Sequence, residues 1–129
     1  RAMALGGVLC LAQWQTMAQS APLPHMPTPA ELLSMPDYCR AKFSDNKTLY
    51  YEWNQRLGPS NFVHMHHHCH GLKHMRRASE APDRTQRTYN LQRAVAEFDY
   101  VLRNWPPTFE IRAIAQKQQA FAQQLLAIR

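Results

Sequence analysis

Arg84–Trp105, RTQRTYNLQRAVAEFDYVLRNW, is the stretch that decides the fold. Tyr89, Ala94, Phe98, Val101 and Leu102 recur in it at three-, four- and five-residue steps, which predicts one long amphipathic helix. Pro106-Pro107 follows directly. A proline drives the residue before it out of helical backbone, so the helix is expected to end at about Trp105.

Working outward, Thr108 to the C-terminus reads as another long helix, with Ile111, Ile114, Ala115, Phe121, Leu125 and Ile128 as its apolar stripe. Upstream, Ser79–Asp83 contains Pro82 and predicts a break. Before it, about Asn61–Ala78 forms the first of three long helical segments. Phe62, Met65, Cys69 and Leu72 share a face there. Leu49–Leu57 is a shorter helix stopped by Gly58-Pro59-Ser60, and Ser44-Asp45-Asn46 is a loop. Thr28-Pro29-Ala30-Glu31 has the form of a capping box with proline at the first helical position; Pro36 keeps that helix short. A further short turn carries Tyr38, Cys39 and Phe43. β-alternation never exceeds a few residues, so the expected class is all-α. The expected architecture is an antiparallel helical hairpin plus a third long helix, with short N-terminal helices, in a single domain over residues 30–129.

The N-terminal residues carry a different signal. Ala2–Ala12 is an apolar run behind Arg1, too short for a bilayer span of about 20 residues but fitting the core of a secretory leader. Ala18-Gln19-Ser20 places small residues at cleavage positions, so residues 1–20 are read as a signal peptide and 21–29 as a proline-rich linker. Cys10 follows Val8-Leu9, which are too bulky for a lipidation site. The expected location is periplasmic or secreted. No membrane span is expected in the mature chain.

Past residue 20 the chain keeps 14 basic side chains, the total of 15 less Arg1, against 9 acidic ones. That charge would suit nucleic acid, but an exported protein rarely meets it, and no stacking pattern or Gly-rich phosphate loop accompanies it. Acidic partners or anionic lipid headgroups are the better expectation. Arg76-Arg77, Arg84, Arg87 and Arg93 bracket the turn between the long helices as a candidate basic patch. In an oxidising compartment Cys39 and Cys69 are expected to pair, and closing a loop of about 30 residues stabilises a fold by roughly 3.5 kcal/mol.

Six of the seven histidines fall in His64-Met65-His66-His67-His68-Cys69-His70-Gly71-Leu72-Lys73-His74. On a helix His66, His70 and His74 stack in a row with His67 beside it, and imidazoles four residues apart can chelate a divalent transition metal such as zinc, copper or nickel. The plain alternative is a set of polar residues on a half-exposed helix. The segment contains no Glu, so the His-Glu-x-x-His pattern of zinc proteases is absent, and no catalytic assembly is specific.

Ala94-x3-Phe98-x2-Val101-x4-Pro106 resembles the second helix of a tetratricopeptide repeat closing on its proline, and Gly71-Leu72 resembles the close-packing position of the first. The match covers roughly Asn61–Arg129. The 22 residues between Gly71 and Ala94 are about twice what the 34-residue repeat allows, so the helices or their turn must be longer than usual. The chain as a whole is similar to small exported helical proteins of Gram-negative bacteria. The resemblance implies a non-enzymatic scaffold or protein-interaction module, with an unidentified envelope protein as partner and no cofactor. Metal binding or handling by the His64–His74 cluster is the alternative.

Overall fold

Short polar side chains start three of the helices, and a nearby proline or glycine stops the same three. A computed structural model describes residues 23–128; the expected leader and Cys10 lie outside them. Seven helices follow in order: α1 Pro29–Leu33, α2 Asp37–Lys42, α3 Lys47–Leu57, α4 Pro59–Phe62, α5 Met65–Ser79, α6 Arg84–Asn104 and α7 Arg112–Ala127. The described residues contain no strand, so the class is all-α. Thr28 and Glu31 form the expected box: the Glu31 amide donates to Thr28 Oγ1 at 3.2 Å, and the Thr28 amide donates to Glu31 Oε2 at 2.8 Å. Asn46 and Asp83 cap α3 and α6 through the amides of Leu49 and Gln86. Gly58, at φ 88°, turns the chain between α3 and α4, a conformation that disfavours any side chain. Trp105 is already extended before Pro106.

The first long helix begins later than its apolar spacing predicts. Two carbonyls at the break take side-chain donors, and Asn61 O also accepts the His64 amide three residues on at 3.2 Å. Phe62 O accepts from Lys42 Nζ at 2.8 Å, and Asn61 O accepts from Trp105 Nε1 at 2.9 Å. The segment therefore divides into α4 and α5.

Three side-chain pairs set the register of α5 on α6: His64 with Tyr100, His67 with Glu97, and His74 with Asn90. Each step forward along α5 is an equal step back along α6, so the helices run antiparallel. Arg112 reaches the Leu102 carbonyl and Gln119 the Val95 carbonyl, which places α7 antiparallel to α6. Cys39 and Cys69, both fully buried, are bridged with their Cα atoms 5.6 Å apart, tying α2 to α5.

The apolar stripes need correction. Tyr89 is exposed on α6, as are Ile114 and Phe121 on α7 and Ile128 just beyond its end. α7 packs mainly on one neighbour, α6, so only a narrow stripe of Ile111, Ala115 and Ala122 is buried. Ala94, Phe98 and Val101 are fully buried as expected, whereas Pro106 is exposed beyond the end of α6.

Gly71 of α5 lies directly against the Phe98 ring of α6. A Cβ built there would lie 2.5 Å from Cε1 of the buried Phe98 ring. Gly71→Ala gains up to about 1 kcal/mol of helix propensity but overpacks a full core, which costs about 1–3 kcal/mol. The expected result is a net loss of up to about 2 kcal/mol in urea denaturation. Phe98→Leu in the same chain should recover part of it, because the methyl then has room. Strict additivity of the two changes would show that Gly71 and Phe98 are not in contact.

Candidate functional site

α5 carries polar side chains on every side, yet most of it is buried. His68, His70, Lys73, His74 and Arg77 are all buried together with the apolar Met65 and Cys69. Each must therefore find a partner inside the protein.

The histidines find theirs separately. His66 Nδ1 donates to the Val63 carbonyl at 3.0 Å, and His67 Nδ1 lies 2.6 Å from Glu97 Oε2 with its ring stacked on Tyr100. His68 sits among Tyr38, Phe98 and Trp105, its Nε2 3.3 Å from the Tyr38 hydroxyl and its Nδ1 without a partner. Burial pushes its pKa down to about 3. His70 packs against His25 and Phe43 and accepts from Lys73 Nζ at 3.1 Å. Burial and then the Lys73 charge bring it to about 3. His74 donates from Nδ1 to Asn90 Oδ1 at 2.8 Å, and burial brings it to about 4 against the opposing effect of that bond. His66 is lowered as well, by burial and then by the charge of its neighbour His67.

The row of His66, His70 and His74, with His67 beside it, is thus divided among different neighbours. Among the described residues no three His, Cys, Asp or Glu side chains converge on a point that could hold a metal ion.

Two cations on α5 do converge, and they hold down the segment before α1. Arg77 donates twice to Glu31, at 2.6 and 2.9 Å, and also to the carbonyls of Pro24 and Met26. Hydrogen bonds and charge from Arg77, with help from Thr28, outweigh the upward pull of burial and leave the Glu31 carboxyl below its ordinary value. Lys73, fully buried, donates to the His25 carbonyl and to His70. Burial, followed by the nearby Arg77 charge, lowers its ammonium to about 8. Residues 23–28 are non-helical, as their prolines predict, but they form a strap bound to α5.

The strap, α5 and α6 enclose an open cleft of about 570 Å³. Leu23 and His25 line it from the strap, Lys73, His74 and Arg77 from α5, and Thr85, Gln86, Tyr89, Asn90 and Arg93 from α6. No carboxylate is among these lining residues. Of the expected basic patch, Arg77 and Arg93 reach the cleft. Arg76 instead turns to α1 and donates to Ala30 O and Ser34 Oγ, while Arg84 borders a shallow neighbouring depression and Arg87 is exposed on α6. Sequence reading missed His25, Glu31, Lys73 and Asn90 as parts of this region. The one available signal was that the α5 sequence leaves no side free of polar residues.

No protein-family model, characterised protein or solved structure matches this chain.

Proposed function

We propose that this chain is a non-enzymatic, exported helical interaction module that recognises an acidic envelope partner through the cleft between the strap, α5 and α6. The observation that carries this is the lining itself: Lys73, Arg77 and Arg93 come together from two helices in a wall that contains no carboxylate, with Glu31 and Glu97 pairing two of the three from behind it. The antiparallel packing of Gly71 under Phe98 supports the tetratricopeptide-like scaffold as its frame. The Cys39–Cys69 bridge and the apolar leader support export, since disulfides persist in oxidising compartments.

The test is capture of the partner from envelope extract by the full chain at low and high salt. Arg93→Glu, on an exposed part of α6, should reduce capture by at least about tenfold, a change of about 1.4 kcal/mol, while leaving the melting temperature within a few degrees. High salt should weaken wild-type capture in the same direction. Capture that ignores both changes would sink the reading.

A further inference from the structure

Lys73 lacks a counter-charge. Arg77 is neutralised by Glu31 through both arms of its guanidinium, and Arg93 shares Glu97 at 3.3 Å. Lys73 bonds only a carbonyl and an imidazole, although it is fully buried. None of the ion pairs among the described residues includes it, and residues 1–22 contain neither Asp nor Glu. An ammonium offers three donors, and a buried one without an opposing charge is costly. The cleft therefore has one uncompensated positive charge in its wall. Above it stand two exposed apolar side chains, Leu23 at 60 % and Tyr89 at 58 % exposure. Its volume of about 570 Å³ falls within the range of small-molecule sites, about 300–1,000 Å³.

We propose that the cleft binds a single carboxylate carried on an apolar body, with the carboxylate taking the place of the His25 carbonyl that now covers the Lys73 ammonium, and the apolar body against Leu23 and Tyr89. This deepens the reading given above and rests on it. One uncompensated cation matches a monoanion better than a phosphate dianion, and the apolar flanks give no reason to prefer a bare inorganic ion. A free amphiphilic acid and the C-terminal residue of a partner chain present the same chemistry.

Calorimetric titration of the full chain with decanoate, decanol and inorganic phosphate tests the proposal. Decanoate should bind one per chain, at least about tenfold tighter than either decanol or phosphate, since a charge-assisted hydrogen bond is worth about a factor of ten or more. Gln86→Trp, at an exposed position in the cleft wall, should remove decanoate binding without lowering the melting temperature. Lys73→Met should abolish the preference for decanoate over decanol. If that variant does not fold, Gln86→Trp and the decanol comparison still decide the matter. Equal binding of decanol, equal binding of phosphate, or indifference to Gln86→Trp each overturns it. Short apolar peptides ending in a free carboxylate or an amide distinguish the sources. A peptide acid that outcompetes decanoate points to a chain end, and the reverse points to a free amphiphile. If neither acid binds but envelope capture still falls in Gln86→Trp, this inference fails and the interaction module stands. If decanoate binds as described while capture ignores the cleft, the module reading fails on its own.

Discussion

Acidification from pH 7 to pH 5 is expected to destabilise the protein by on the order of 5 kcal/mol. His68, His70 and His74 are held neutral in the folded state, at about 3, 3 and 4, chiefly by burial. In the unfolded chain each titrates near ~6.5. Below that value the unfolded state binds protons that the folded state refuses. Stability is therefore complete above about pH 7 and falls as the pH drops towards the folded values, by up to ~1.4 kcal/mol per histidine per pH unit. Half-exposed His66 acts in the same direction. Glu31 adds a later loss: its lowered carboxyl helps hold the fold above its ordinary value of 4.5, and that help disappears as the pH falls through its folded value. Because small domains are stable by only about 5–15 kcal/mol, the melting temperature should collapse between pH 6.5 and pH 5. Thermal melts followed by circular dichroism at half-unit steps measure this directly. A flat profile down to pH 5 would mean that the three imidazoles are solvated.

Glu31→Ala should cost about 3–5 kcal/mol, because it leaves Arg77 buried without its partner. Both side chains of this pair are more than nine-tenths buried, and Arg77 forks onto both carboxylate oxygens. The exposed pair Arg103–Asp99 on α6 is the internal control. Asp99→Ala should change stability by no more than about 0.5 kcal/mol. Removing both charges with Glu31→Leu and Arg77→Met should recover much of the loss. Recovery should stop short of wild type, since the carbonyls of Pro24 and Met26 also lose their donor. Urea denaturation of the three variants beside the wild type checks the set. A cost below about 1 kcal/mol for Glu31→Ala would place the pair in water.

Local chemistry was legible in the sequence. The Thr28–Glu31 box, the stops at Gly58 and Pro106 and the close packing at Gly71 depend on a few neighbouring residues or on spacing along one helix. The bridge between Cys39 and Cys69 was expected from the cysteine count and from the oxidising compartment that the sequence leads one to expect. What could not be read was which helix is central. Apolar periodicity assumes that polar residues face water. α5 breaks that assumption, because α6, α2 and the strap surround it and its histidines find internal partners. The same rule failed in the opposite sense for α7. Its stripe includes Ile114, Phe121 and Ile128, but only one broad neighbour is present to cover it. The cleft was legible in part: Arg77 and Arg93 belonged to a visible basic patch, whereas nothing in the sequence set Lys73 apart.

The bridge also changes how far the strap is from its anchors. Along the backbone His25 lies 48 residues before Lys73. Through the sulfur link the route runs from His25 to Cys39 and from Cys69 to Lys73, about 18 residues, and loop-closure entropy grows by about 0.6 kcal/mol per doubling of length. The shorter circuit thus lowers the entropic cost of seating the strap by roughly 0.8 kcal/mol. Leu23 and His25 form one wall of the cleft. In the reduced chain that wall must close a circuit more than twice as long, so the oxidation state of two buried sulfurs sets how firmly the cleft is shut on one side.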